Sequence, residues 1–275
     1  MSESPDEYCT RELRSADPDR WLTTLFAPDA CRPGLHALYA FNAEIARARE
    51  AVSQPMIGQI RLQWWREAWE GIWDNRPRNH PVVMALHVHC RNLDRGDVFA
   101  LIDARETDME EAPPANMDAL CKYAKASSAP LMRMACDLLE EEIDDETLRL
   151  AGTGYALTGI LRATSHFAAQ RRIYLPADRL AAAGLMPESL YQSGLGPAAI
   201  AVIAEVGREA EKLFASLRQR RISRRAMAAV LPATIARTHL RQLAKAGFNP
   251  DVPGASASAT RLHVALLAAL WRRRI

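Results

Sequence analysis

The sequence has no long apolar run and no leader-like N-terminus. None of its apolar stretches reaches the roughly 18–20 residues that a membrane-spanning helix needs. Residues 1–7, MSESPDE, are acidic and polar, unlike a secretory signal or an Arg-rich transit peptide. The five cysteines are scattered and form no C-x-x-C pair, so we expect neither a zinc site nor a disulfide framework. This composition favours a reducing cytoplasm as the compartment.

An excess of charge of one sign and signals for β-hairpins are also missing. The 35 Lys and Arg side chains nearly balance the 33 Asp and Glu side chains, giving a net charge of +2. A dedicated nucleic-acid-binding protein usually carries a strongly basic face, so we expect no nucleic-acid partner. Only 13 glycines occur, and no Asn-Gly or Asp-Gly pair marks a hairpin turn.

What the sequence does contain is helical periodicity. Apolar residues recur every three to four positions, between prolines that mark the starts or ends of helices. No shift in composition and no internal repeat divides the chain. We therefore predict a single all-α domain over residues 1–275, with about a dozen helices. Its core is expected at about residues 8–245, followed by a basic C-terminal helix at about 257–275.

Some predicted helix boundaries can be tested directly. The apolar pattern predicts one continuous helix over residues 117–139 and another over 144–167. It predicts two separate helices at 224–228 and 234–245, because Pro232 lies between them.

Three segments carry most of the functional information. They are, in chain order, Leu25–Pro28 with Arg32 and Leu35–Phe41; Ile60–Ala68 with His80–Val82; and Leu157–Arg162 with Arg171–Pro176. Their order and spacing resemble the squalene/phytoene synthase family from about Tyr8 to Leu180. The third segment is the most specific, because a helix and the loop that follows it match in register.

The resemblance implies an all-α isoprenoid-synthase fold with a central cavity between helices. Active members of the family join two prenyl diphosphates head to head, using Mg²⁺ ions held by two acidic motifs on facing helices. The chemistry needs acids because a diphosphate departs only when metal ions neutralise its negative charge. Mg²⁺ prefers carboxylate oxygens, and two carboxylates four residues apart lie on one helix face.

The family register places the first acidic motif at positions 46, 47 and 50. This sequence has Ala46, Arg47 and Glu50 there, so one acid remains and a cation replaces another.

The second acidic motif falls at positions 163, 166 and 167. This sequence has Ala163, His166 and Phe167, none of which is an acid. The polar cavity residues expected just upstream fall on Ala156 and Gly159, so this helix face is small and apolar. Without an acidic pair on either helix, we expect no catalytic residue, no bound metal and no cofactor.

A divergent branch of the same family gives a closer resemblance. The segments that carry it are Tyr39–Arg47, Gly58–Trp65, Gly159–Thr164 and Leu270–Arg273. This branch contains a mitochondrial assembly factor for respiratory complex I and its bacterial relatives, and it shares the loss of the acidic motifs. The resemblance implies a non-catalytic protein at the inner membrane that helps to assemble the NADH dehydrogenase. Its subunits or assembly intermediates are then the expected partners, and the residual cavity could hold a prenyl lipid.

Two alternatives stay open. The chain could be a Mg²⁺-dependent prenyltransferase that makes phytoene or squalene, with Glu44 and Glu50 as remnants of the site. That alternative requires further acids, such as Asp103 or Asp108, to converge with Glu50. The chain could also be a prenyl-lipid carrier with no role in assembly.

Several cationic side chains are candidates for binding an anionic head group. Arg47 could hold a phosphate directly, because guanidinium pairs well with phosphate oxygens, or it could simply pair with Glu44 or Glu50 at helical spacing. Arg162, Arg171 and Arg172 could keep a head group or only cap a helix C-terminus. Tyr174 could line the mouth of a polar cavity or lie buried in a loop.

The remaining motifs have one structural and one functional interpretation each. Trp65, Trp69 and Trp73 share one helix face, which indicates packing rather than a ligand site. The last segment, Thr260–Ile275, could bind an anionic membrane surface from the cytoplasmic side or dock on the core as a terminal helix. A second basic cluster, Arg218–Arg221 with Arg224 and Arg225, could face phospholipid, an acidic partner or water.

Overall fold

Prolines mark many of the helix starts, as the sequence predicts. Pro5, Pro18, Pro81, Pro187 and Pro197 each lie in the first turn of a helix, where a backbone N–H would have no intrahelical acceptor. The computed structural model describes residues 3–49, 55–110 and 112–275, and no strand occurs within these ranges. The all-α fold class is confirmed.

The described ranges contain fifteen α-helices. The first eight are α1 (Pro5–Ala16), α2 (Pro18–Thr24), α3 (Arg32–Ala46), α4 (Pro55–Trp73), α5 (Pro81–His89), α6 (Arg95–Glu106), α7 (Met117–Ala126) and α8 (Ala129–Leu138). The other seven are α9 (Asp145–Arg162), α10 (Thr164–Ala169), α11 (Ala177–Ala182), α12 (Pro187–Ser193), α13 (Pro197–Leu217), α14 (Met227–Lys245) and α15 (Ala259–Arg272). Short 3₁₀ turns lie at Asp29–Cys31 and Thr107–Met109.

Two helices predicted to be continuous are each broken in two. The helix predicted over 117–139 is interrupted between α7 and α8, where Pro130 in the first turn of α8 supplies no N–H to continue the preceding helix. The helix predicted over 144–167 ends at Arg162. There the Thr164 hydroxyl donates to the carbonyl oxygens of Ile160 at 3.0 Å and Leu161 at 3.1 Å. Such side-chain hydrogen bonds compete with the backbone bonds of a helix.

The opposite error occurs in α14. The two helices predicted at 224–228 and 234–245 are one helix from Met227, with Pro232 inside it. Pro232 removes one helical hydrogen bond, but Val230, Leu231 and Ala233 around it are fully buried. Packing of the apolar residues therefore outweighs the local preference of proline to end a helix.

The chain folds into two compact units. The first comprises Met1–Glu110, Pro130–Ile143 and Ser223–Pro232, and the second comprises Glu111–Ala129, Asp144–Ile222 and Ala233–Ile275. The single-domain organisation stays a prediction. No helix in the described ranges combines the length and the apolar character that crossing a membrane requires.

In the first unit the core surrounds α3. This helix packs against α1 and α5, and every residue from Leu35 to Ala43 is buried. The ring of Phe41 meets Trp65 and Trp69 edge to face, with centroids 5.1 and 5.5 Å away. Trp65 and Trp69 of the predicted stripe are thus part of the core, whereas Trp73 is half-buried.

In the second unit α9 is the central packing element. It packs against α13 and α7. Gly154 lies on the face turned to α13, where the backbone of α9 comes close to the ring of Phe214. Ala156, Gly159 and Ala163 follow at spacings that place them on the opposite side of α9.

Candidate functional site

The first degenerate motif lies at the C-terminal end of α3. Arg47 is the cap of this helix, and its backbone N–H donates to the Ala43 carbonyl at 3.1 Å. Its guanidinium lies 3.5 Å from the Glu12 carboxylate and 3.8 Å from that of Glu44. The pairing with Glu44 that helical spacing predicts is present, while phosphate binding by Arg47 stays a prediction.

Glu44 also faces a small cavity of about 310 Å³ in the first unit. Its second carboxylate oxygen lies 3.5 Å from Arg61 on α4, so two guanidinium groups neutralise this one acid. His80 also lines the cavity, with its ring 5.5 Å from Trp64 and 5.7 Å from Trp65. Burial lowers the pKa of His80, although Glu44 opposes the shift. Aromatic rings and the ion-paired carboxylate of Glu44 thus line the cavity.

Two of the acids that a magnesium enzyme would need, Asp103 and Asp108, lie close to arginines. Glu50 lies outside the described residues. Asp103 pairs with Arg66, and Asp108 lies 3.5 Å from Arg105. The methyl group of Ala46 and the guanidinium of Arg47 offer no oxygen, so these two positions do not fit a Mg²⁺ ion.

The second degenerate motif is divided between two helices. Ala163 caps the C-terminal end of α9, whereas His166 and Phe167 lie on α10. On α9 itself Gly159 is exposed, and a Cβ built there meets no atom within 4 Å. Ala156 and Ala163 beside it are half-buried. This face of α9 is an open surface of small, uncharged residues.

An aromatic cluster occupies the end of the second motif. Phe167 meets Tyr174 edge to face at 4.8 Å, and Tyr174 stacks on Tyr123 at 5.4 Å. His166 is exposed, and its Nε2 lies 3.0 Å from the side-chain amide of Gln170. Imidazole and phenyl groups are poor ligands for a hard cation, so these positions do not fit Mg²⁺ either.

The structure brings together some of the predicted head-group residues. The guanidinium of Arg172 lies 4.6 Å from the centroid of Tyr174, a cation–π contact. Arg171 is exposed and has a left-handed backbone (φ 58°), and its N–H donates to the Ala168 carbonyl at 2.9 Å. Arg162 is exposed at the last residue of α9. Arg172, Tyr174 and Phe167 thus form one contact cluster. Binding of an anion to this cluster stays a prediction.

Throughout the ranges that the structure describes, no three His, Cys, Asp or Glu side chains are grouped in a way that could hold a metal ion. A separate groove of about 1260 Å³ lies in the second unit and is lined by arginines of α14 and α15. The sequence-based predictions place Arg218 and the segment from Thr260 in two separate basic segments and include neither Arg237 nor Arg241. The available signal was the spacing of Arg237, Arg241 and Lys245, four residues apart on one helix.

Comparison with known proteins establishes the family. The squalene/phytoene synthase family matches residues 13–267. The chain belongs to this family. The resemblance carried by the three sequence segments is thereby confirmed.

Relatives of this squalene/phytoene synthase family member fall into two groups. The bovine (Bos taurus) protein named NADH dehydrogenase (ubiquinone) complex I, assembly factor 6 is 26% identical over 275 residues, covering 98% of this chain and 83% of the relative. The chloroplastic phytoene synthase of Narcissus pseudonarcissus is 26% identical over 180 residues, covering 62% of this chain and 43% of the relative.

Solved structures agree on the fold. A dehydrosqualene synthase superposes with a TM-score of 0.81 at 18% identity, over 98% of this chain and 96% of that one. The squalene synthase of Alicyclobacillus acidocaldarius gives a TM-score of 0.75 at 20% identity, over 90% and 95% of the two chains. The isoprenoid-synthase fold predicted from the resemblance is confirmed.

Proposed function

We propose that this family member acts in the assembly of respiratory complex I, the NADH dehydrogenase, by binding rather than by catalysis. The observation that carries the proposal is the extent of similarity. The relative named for complex I assembly matches 98% of the chain, whereas the phytoene synthase matches 62% at the same identity. NADH dehydrogenase subunits or assembly intermediates are the partners that we propose.

The geometry of both motif positions supports a binding role. On α3 the cation of Arg47 lies between Glu12 and Glu44, so their negative charge is already compensated. On α9 the face that carries acids in active relatives presents Ala156, Gly159 and Ala163. Ionising a diphosphate requires metal ions that stabilise the leaving group, and neither set of side chains is suited to hold them.

The assembly role is tested by deleting the gene in its own organism. We expect lower NADH-dehydrogenase activity and lower levels of complex I subunits, both restored by the wild-type gene. A gene with Glu44→Gln should restore them equally, because the acid is proposed to have no catalytic task. Immunoblotting must show that the variant accumulates to the wild-type level. Unchanged enzyme activity and subunit levels after deletion would contradict the assembly role.

The proposal that the protein is not a catalyst is tested separately. The purified protein is incubated with farnesyl or geranylgeranyl diphosphate and Mg²⁺, beside an active phytoene synthase as positive control. We expect no C30 or C40 product. Formation of either product, and its loss in Glu44→Gln, would instead establish a head-to-head prenyltransferase.

We further propose that the open apolar face of α9 accepts a prenyl chain. Ala156, Gly159 and Ala163 offer a surface without charge, and Gly159 leaves room beside the helix. Lipids extracted from the purified protein and identified by mass spectrometry should include a prenyl lipid. Gly159→Glu, at an exposed position where an added Cβ meets no atom within 4 Å, should reduce its amount. A lipid extract without prenyl chains would count against this proposal.

A further inference from the structure

A groove of about 1260 Å³ lies in the second unit and is strongly cationic. The side chains that line it come from α14, α15 and the segments after α13 and α15. Seven of them are cations: Arg218, Arg237, Arg241, Lys245, Arg261, Arg272 and Arg274. Glu211 is the one acidic side chain among the lining residues described. Within the described ranges none of these seven side chains makes an ion pair, and the cations outnumber the acids that line the groove.

Arg237 is the most buried of these seven cationic side chains. Its side chain is half-buried, and its Nε is fully buried without a hydrogen-bond partner in the part of the chain that the structure describes. Burial, together with the nearby charges of Arg241, Arg218 and Arg272, lowers the pKa of Arg237 to about 10. A buried donor without an acceptor and several like charges in one groove both cost free energy. An anion with several oxygen acceptors would relieve both costs.

The side of α15 that is not packed on the core is apolar next to this groove. Leu262, Leu266 and Ala269 form the buried face of the helix. Val264 and Leu267 are 62% and 61% exposed, and Trp271 is 85% exposed. Their spacing of three and four residues places them on one stripe, and Val264 itself lines the groove.

We propose that the groove between α14 and α15 is a binding site for phosphate groups, with Arg237 at its base and Arg241 and Arg272 beside it. Guanidinium binds phosphate through paired N–H donors, which suits a cluster of arginines better than it suits lysines. The exposed stripe of Val264, Leu267 and Trp271 points to the head group of a phospholipid as the source of the phosphate, because basic and aromatic side chains together bind anionic bilayers. This site is separate from both degenerate motifs and does not depend on the assembly role.

Two binding measurements distinguish the possible sources of the phosphate. In the first, vesicles of phosphatidylcholine alone or with phosphatidylglycerol are floated with the full-length protein. In the second, inorganic phosphate or pyrophosphate is titrated by calorimetry. We expect binding to the anionic vesicles that is at least ten-fold tighter than to neutral ones, since the cations attract anionic lipid. Binding of the soluble anions with no preference for anionic vesicles would support the phosphate site but assign it to a free ligand.

Variants with equal loss of charge test whether the groove itself binds. The double variant Arg237→Gln/Arg241→Gln should weaken binding ten-fold or more. Arg224→Gln/Arg225→Gln removes two exposed arginines that do not line the groove, and it should weaken binding less than three-fold. Trp271→Ser, which changes an exposed side chain, should weaken binding to vesicles but not to pyrophosphate. Circular dichroism and thermal melting confirm that each variant folds.

Equal losses in the two arginine pairs would overturn the proposal, because they would show a response to net charge rather than a site. So would binding to neither vesicles nor soluble phosphates. Binding to polyglutamate alone would also overturn it and would assign the groove to an acidic protein.

Discussion

Gly154 on α9 lies directly against the ring of Phe214 on α13. A Cβ placed on Gly154 would come within 2.8 Å of Cε1 and 2.9 Å of Cζ of that ring. Both helices are buried at this point, so the ring has little room to move. The close approach fixes which face of α9 turns inward, and it leaves Gly159 on the side where the family motif falls.

Two glycines on one helix should therefore respond in opposite ways to the same substitution. Gly154→Ala forces Phe214 or α13 to shift, and overpacking of this kind lowers the free energy of unfolding by about 1–3 kcal/mol. Gly159→Ala is the matched control, because its Cβ meets nothing within 4 Å. Alanine is there expected to raise the free energy of unfolding by roughly 0.5–1 kcal/mol through helix propensity. Urea denaturation measures both, and equal effects would contradict the packing described here.

The cysteines should divide into protected and accessible thiols. Cys9, Cys90 and Cys136 are buried, and burial raises the pKa of Cys9 and Cys136 to about 12 and that of Cys90 as well. Because the thiolate is the reactive form, these three should resist alkylation in the native protein at about pH 8. Cys31 and Cys121 are half-buried, and burial raises the pKa of Cys121, so Cys31 should react first. Peptide mass spectrometry after iodoacetamide treatment checks the order, with denatured protein as the control in which all five react.

Much of the fold could be predicted from the sequence because prolines and apolar periodicity are local signals. The errors arose where a local signal competed with burial or with a side-chain cap. Pro232 suggested a break, but the fully buried residues around it keep α14 continuous. Thr164 looked compatible with a helix, yet its hydroxyl binds the carbonyls of Ile160 and Leu161 where α9 ends.

Prediction from the sequence is more limited for the candidate sites than for the helices. The degenerate motif positions could be found because they follow a fixed register along the chain. The cationic groove could not, because it joins Arg218 with Arg237, Arg241 and Arg272, which belong to separate helical segments. Only packing brings such residues together, and neither composition nor spacing specifies which faces meet.

The charge of Arg47 should matter for stability at the end of α3. Arg47→Glu places a third carboxylate beside Glu12 and Glu44, which the wild-type guanidinium contacts at 3.5 and 3.8 Å. Because Arg47 is substantially exposed, we expect a loss of only about 0.5–1 kcal/mol in the free energy of unfolding at low salt. Arg47→Gln removes the attraction without adding repulsion and should lose less. Added sodium chloride should shrink the difference between the two variants, and a difference independent of salt would rule out this electrostatic origin.

His36 should make the protein less stable in mild acid. The ring lies between two hydroxyls, with Nδ1 2.9 Å from Thr10 Oγ1 and Nε2 2.9 Å from Thr24 Oγ1. Burial and the nearby charge of Arg32 lower the pKa of His36 below its ordinary value of about 6.5. The unfolded chain therefore binds a proton more readily than the folded protein. This contribution to stability is fully present above about pH 6.5 and is lost as the pH falls through that value.

The variant His36→Gln keeps an amide that can hydrogen-bond to both hydroxyls and removes the titration. It should be less sensitive than the wild type to a change from about pH 7.5 to about pH 5.5 in urea denaturation. Some dependence should persist, because burial also lowers the pKa of His80. If the two proteins lost stability in parallel over this range, His36 would not be the titrating group. The double variant His36→Gln/His80→Gln separates the contributions of the two histidines. It should be even less sensitive to pH if the half-buried imidazole of His80 titrates between the two pH values.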